Sequence, residues 1–194
     1  MADERLLDEL ALNATAATTM ELLDGWVLRA APEFPFRRCN SVFPNDGVGA
    51  ATDERIERVQ SFYRSRGLPV RFQVSPAARP ADLDDRLAAA GYEIEAPVDI
   101  LTAATRDVVD RTAGREWPVS IAAGIDDAWA TSYGLLHGDE ERTAAYGRLL
   151  RTVGPPVFVA TAESDGAPVG VGFGVVERGW LGVFGMGTRP DIRR

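Results

Sequence analysis

Apolar positions along this chain alternate between a helical and a strand period. From Asp3 to Asn13, Leu6, Leu7, Leu10 and Ala11 fall on one helical face. Glu21-Leu-Leu and Trp26-Val-Leu-Arg then flank Asp24-Gly25, a two-residue hairpin signal. Arg38 to Phe43 reads as a third strand, closed by Pro44. Thr52-Asp-Glu offers a cap and an acidic first turn to a helix whose inner face is Ile56, Val59, Phe62 and Tyr63, ending at Gly67. Val70 to Val74 is a short strand, and Ala81 to Ala90 a helix with Leu83 and Leu87 inward and Gly91 at its end. Tyr92 to Ala103 reads as extended chain.

A polar stretch from Ala104 to Glu116 marks a boundary. Beyond it, Val119-Ser-Ile is a strand, and Asp126 opens a helix carrying Trp129, Tyr133 and Leu136. Asp139-Glu-Glu opens another helix with Tyr146, Leu149, Leu150 and Val153 inward, stopped by Gly154-Pro155-Pro156. Strands Val157 to Glu163 and Pro168 to Glu177 join through Asp165-Gly166, and Arg178-Gly179 leads into Trp180 to Thr188. This set makes an open sheet with an unpaired edge and half its helical cover absent. On that ground the gene product is expected to continue beyond Arg194, and the 194-residue form to show weak or no catalysis.

Composition narrows the chemistry. All 21 basic residues are Arg, and there is one histidine, His137, and one cysteine, Cys39. Mechanisms built on a phosphate-loop lysine or a Schiff-base lysine are excluded. So are zinc sites needing several Cys or His, and disulfides within the chain. The expectation is of no metal. A net charge of −8 without a basic run argues against nucleic acid or an anionic membrane as partner. No stretch is long and apolar enough for a span, and Met1-Ala-Asp-Glu-Arg is not a signal peptide, so the expected location is cytoplasmic.

The last motif is the most informative. Strand Trp180–Thr188 runs into Thr188-Arg-Pro190-Asp-Ile-Arg193-Arg194, which resembles the cofactor region of the GCN5-related N-acetyltransferase (GNAT) family. There a central strand ends in Val-x-Pro and is followed by Arg/Gln-x-x-Gly-x-Gly/Ala at a helix start. Pro190 matches the proline, Thr188 takes the valine position and Arg193 the leading arginine. The two glycines would fall beyond Arg194. The resemblance implies an α/β acyl-CoA N-acyltransferase fold, a mixed, mostly antiparallel sheet flanked by helices. It also implies an acetyl-CoA co-substrate and an amine acceptor. Met186, Gly187, Thr188, Arg193 and Arg194 become the cofactor-binding residues, with the backbone of Met186–Thr188 holding the pantetheine arm and one N–H polarising the thioester. Gly185 and Gly187 suit a bulge or a close backbone approach.

The first part of the chain resembles a second, altered copy. Val42-Phe43-Pro44 keeps Val-x-Pro, but the following loop lacks the leading Arg or Gln and carries Asp46, before a helix opening with Asp53 and Glu54. Negative side chains there compete with a pyrophosphate for the same donors. The expected organisation is a degenerate unit at 1–105, a linker at 106–115 and the N-terminal part of a catalytic unit at 116–194; a homodimer is compatible with it.

The family chemistry needs a base to deprotonate the amine and an acid for the thiolate. Glu177 is the base candidate, although a position beside Arg178 facing solvent explains it equally. Asp139 and Glu140 border the acceptor side but also suit a helix first turn. His137 reads as a helix-end residue, although its place between helices also suits contact with an acceptor; Cys39 reads as a small buried residue, and Trp129 as core at a place where an acceptor pocket could form. The rival to an acetyltransferase of small amines, amino acids or peptides is a non-catalytic scaffold or acyl-CoA sensor.

Overall fold

The computed structural model describes residues 3–47, 51–114, 117–138 and 140–193. Helix α1 (Glu4–Asn13) starts where Asp3 accepts a hydrogen bond from the Arg5 amide at 3.0 Å. Strands β1 (Thr19–Leu23) and β2 (Trp26–Ala30) follow as an antiparallel hairpin. Both turn residues take positive φ, Asp24 at 47° and Gly25 at 85°, the conformation that a tight two-residue turn requires.

The third strand is shorter than the pattern suggested. Only Val42–Phe43 (β3) joins the ladder, in the order β1-β2-β3. Residues Arg37–Cys39 form a 3₁₀ turn. The cause is Asn40, whose buried side-chain amide donates to the carbonyls of Ala31, Phe34 and Phe36 and accepts from the Ala31 amide. A side chain that gathers four backbone groups holds the preceding loop in a compact, non-extended path. The guanidinium of Arg29, fully buried on β2, pins the same region by donating to Leu12, Thr15 and Arg38 carbonyls.

Helix α2 (Thr52–Arg64) lays Ile56, Val59, Phe62 and Tyr63 against the first sheet, as the periodicity predicts. The expected strand at 70–74 contributes a single parallel bridge, Phe72 to Val42, and α3 (Leu83–Ala89) buries Leu83 and Leu87. Residues 92–103 join no ladder among the described residues, and Leu101 is 90% exposed. Within the stretch read as a linker lies a helix, α4 (Thr105–Thr112), with no buried residue.

The second part places β4 (Val119–Ala123), β5 (Val157–Ser164), β6 (Ala167–Glu177) and β7 (Trp180–Thr188) in one antiparallel sheet in that order. Asp165-Gly166 and Arg178-Gly179 repeat the positive-φ turn of the first hairpin. Helices α5 (Asp127–His137) and α6 (Glu140–Leu149) connect β4 to β5. They cross closely because a Cβ at Gly147 would already lie 3.3 Å from Ala130.

One face of this sheet packs Val159, Val171, Phe173 and Val175 under the two helices. The opposite face presents Ile121, Phe158, Leu181 and Val183, all exposed. The core of the second part is continuous with the first: Tyr146 on α6 sits against Phe34 and Phe36, with ring centroids 5.3 and 4.5 Å away. No helix among the described residues is long and apolar enough to cross a membrane.

Candidate active site

β7 is an edge strand, and its last residues carry the irregularity anticipated for it. The ladder passes from Phe173–Phe184 to Val171–Gly187, so Gly185 and Met186 stand opposite Gly172 alone. This bulge needs a left-handed residue, which Gly185 supplies at φ 56°. Its missing side chain also matters, since a Cβ there would come within 2.7 Å of the Phe173 ring and 2.9 Å of the Tyr133 ring.

Beyond the bulge, one hydrogen bond settles which way each peptide faces. The Arg189 amide donates to the Val169 carbonyl at 2.9 Å, so Arg189 and Gly187 address β6. Strand alternation then turns the backbone of Met186 and Thr188 toward the outer edge, which pairs with no strand among the described residues. The Thr188 carbonyl accepts both Nε and Nη2 of Arg193, at 2.9 and 2.7 Å. Between them Pro190–Ile192 forms a 3₁₀ turn, and Arg189 pairs with Asp191 at 2.6 Å. The structure thus gathers Met186, Gly187, Thr188 and Arg193; Arg194 lies outside the described residues.

Glu177 is not brought to this group. It opposes Trp180 at the hairpin end of β7, and eight residues of strand put about 26 Å between Trp180 and Thr188. Asn13 donates to both its carboxylate oxygens at 3.0 and 3.1 Å, and Arg178 lies 3.6 Å away. Arg178 in turn pairs with Glu9 at 3.0 Å. The Glu177 cluster therefore ties α1 to the β6–β7 hairpin. Glu177→Gln is expected to cost less than about 1 kcal/mol in urea unfolding, because these pairs are solvent-exposed.

His137 is the residue whose setting the sequence did not disclose. Trp129, Tyr133 and His137 recur every four residues on α5, and their rings stack in sequence, with centroids 4.9 and 4.2 Å apart. The stripe runs beneath the sheet and ends under Gly187, where a Cβ would approach the His137 ring to 2.7 Å. The four-residue spacing was readable; the strand it meets, fifty residues later, was not. Asp139 lies outside the described residues, and Glu140 begins α6. Cys39 is buried, its Sγ donates to the Phe36 carbonyl at 3.2 Å, and burial pushes the thiol up to about 11, which removes it as a nucleophile.

The corresponding turn in the first part is filled by its own chain. The Gly47 amide donates to the Asp46 carboxylate at 2.7 Å. Arg55, 2% exposed in the first turn of α2, donates to the Asp24 and Asp46 carbonyls and lies 4.5 Å over the Trp26 ring. The rest of this loop, residues 48–50, lies outside the described residues. No group of three or more metal-ligating side chains occurs among the described residues.

Three comparisons bear on this geometry. The family model described as probable histone acetyltransferase Rv0428c C-terminal matches residues 1–192. The uncharacterized N-acetyltransferase YobR of Bacillus subtilis is 35% identical over 112 residues, 58% of this chain and 44% of the relative. The match thus spans less than half the length of that curated relative. A GCN5-related N-acetyltransferase from Kribbella flavida superposes with a TM-score of 0.62 at 17% identity, over 100% of this chain and 76% of that one. That likeness is one of fold.

Proposed function

Because the chain belongs to the probable histone acetyltransferase Rv0428c C-terminal family, and so to the GNAT proteins, we propose that it transfers the acetyl group of acetyl-CoA to a primary amine of a small molecule, amino acid or peptide. The observation that carries this reading is the outer edge of β7. Beyond the bulge at Gly185, the peptide groups of Met186 and Thr188 face outward, two residues apart, with no strand among the described residues to pair them. A pantetheine arm has two amides and can pair there as an added strand. A backbone N–H fixed at such an edge also stabilises the oxyanion that forms when an amine attacks a thioester. Arg193, now folded onto Thr188, is positioned to turn to the pyrophosphate.

In this reading residues 116–194 carry the donor side and residues 1–105 form a degenerate unit. Support comes from the first unit's turn, where Asp46 and Arg55 already use the groups that a pyrophosphate would need. The acidic net charge supports a protein that acts apart from nucleic acid, and a single His and a single Cys support chemistry without a metal.

One observation favours the sensor reading instead: the Thr188 carbonyl is already doubly bonded by Arg193, so the edge is partly closed. Titration calorimetry with acetyl-CoA, paired with a thiol-release assay, separates the two. Binding with turnover supports the transferase reading. Arg193→Glu should weaken binding about tenfold or more, the effect of replacing attraction by repulsion at a phosphate, and Asp46→Ala should leave it unchanged. Equal loss from both substitutions would overturn the assignment of the donor site; binding without turnover would leave the sensor.

A further inference from the structure

We propose that His137 is the proton acceptor for the incoming amine, an inference that rests on β7 being the donor strand. Three features of the ring converge. Its Nδ1 lies 2.9 Å from the Tyr133 carbonyl oxygen, an acceptor only, so Nδ1 carries the hydrogen and the lone pair is on Nε2. Nε2 has no hydrogen-bond partner among the described residues. The ring sits against Gly187, with Cε1, Nδ1 and Nε2 at 2.7, 3.0 and 3.3 Å from where a Cβ would stand. Gly187 separates the two outward-facing peptides, so the imidazole borders the stretch of backbone that would hold the thioester.

The tautomer is the useful one. An imidazole anchored through Nδ1–H presents the Nε2 lone pair as a proton acceptor. His137 is an exposed residue, which gives the proton a route to solvent. Glu177 cannot serve, being at the opposite end of β7. Gly187 acquires a second purpose: any side chain there would displace the imidazole.

The step balances as follows. An alkylammonium gives one proton to Nε2, and its nitrogen lone pair forms the C–N bond as the carbonyl π pair moves to oxygen. On collapse the C–S bond breaks, the thiolate leaves with its electron pair, and it takes the remaining surplus proton from the new amide nitrogen. Nε2 then releases its proton to water.

The test uses the intact chain and two variants. Asn reproduces the Nδ1 donor and Gln approximates Nε2, so His137→Asn keeps the anchor while removing the base. With acetyl-CoA and the best alkylamine from a panel of primary amines, His137→Asn is expected to lower kcat about 100-fold. Its affinity for acetyl-CoA should stay within twofold of the parent. With benzhydrazide, already neutral at assay pH, the loss should be under about threefold, because no proton needs removal before attack. His137→Gln should behave alike. A packing role would instead depress both acceptor classes equally, and that result overturns the proposal.

Nitrogen-15 spectra supply a readout independent of turnover. With a single histidine in the chain, the ring signals need no assignment. A neutral ring protonated at Nδ1, shifted on adding acetyl-CoA, is expected. Protonation at Nε2, or no response to bound acetyl-CoA, counts against the assignment. Failure of the parent chain to bind acetyl-CoA, or to acetylate any amine, removes the donor-strand reading, and the assignment with it.

Discussion

Tyr146→Ala is expected to destabilise the protein by about 3–5 kcal/mol, the range for deleting a large buried aromatic ring. Tyr146 is 6% exposed on α6, and its ring meets two rings from the loop after β2. Phe34 approaches edge-on at 5.3 Å and Phe36 at 4.5 Å. One aromatic from the second part is thereby wedged between two from the first. Its removal leaves a cavity with helix α6 on one side and the loop that Asn40 holds on the other, so neither wall can collapse inward cheaply. Urea unfolding followed by far-ultraviolet dichroism and by tryptophan fluorescence checks this. The parent should unfold in one transition; the variant should shift to lower urea and separate by probe, since Trp26 belongs to one cluster and Trp129 to the other. A shift worth less than about 1 kcal/mol would mean that the two parts do not depend on this joint.

The second large effect is alkaline destabilisation. Burial pushes up the hydroxyls of Tyr63, Tyr133 and Tyr146, Tyr133 to about 12, and the Cys39 thiol to about 11. The folded protein thus keeps protons that the unfolded chain gives up above the ordinary values of 9.0 for Cys39 and 10.0 for the tyrosines. With more protons on the native state, stability falls as pH rises. The contribution is whole below about pH 9 and is lost as pH climbs through the folded values.

Arg29 acts in the opposite sense. Burial lowers its guanidinium to about 10, so above that pH the native state sheds a costly charge and recovers part of the loss. The net expectation is a drop of about 5 kcal/mol between pH 8 and pH 11, taking about 1.4 kcal/mol for each pH unit over which a proton is retained. Urea midpoints at the two pH values measure it. Tyr133→Phe should reduce the drop by about 1 kcal/mol; an unchanged drop would show that the Tyr133 hydroxyl is not held protonated by the fold.

Local signals carried most of the architecture. The three two-residue turns were legible because Asp-Gly and Arg-Gly pairs accept positive φ, and all three turns adopt it. Helix α2 was legible because its four apolar residues recur with the helical period and meet a sheet. What failed was what depends on a partner. Residues 92–103 alternate like a strand, yet alternation describes a face and not a neighbour, and no strand among the described residues pairs with them. The third strand was curtailed by one polar side chain, Asn40, whose four backbone bonds no period encodes. Helix α4 formed in the stretch read as polar linker, where no buried face announces it.

The site divides in the same way. Gly185 could be read as a bulge residue, since its role follows from its own backbone. Glu177 suited a base by residue type, but its distance from Thr188 follows from register. His137 was readable as a helix-end residue, and its Nδ1 bond to Tyr133 matches that. Its seat on Gly187 comes from the packing of α5 beneath β7, which lies outside any local window.

The length of chain between its contacts gives the anchoring of α1 a further meaning. Asn13 and Glu9 of this helix reach partners at Glu177 and Arg178, 164 and 169 residues later. Its carbonyl end, by contrast, accepts from the guanidinium of Arg29. Its buried Asp8 accepts from Ser75, and its Arg5 lies near Asp46, so one side of the helix is held by the first part alone. The contacts with the β6–β7 hairpin span 164 and 169 residues, so they close the longest loops of any contact that α1 makes and are the slowest of its contacts to form.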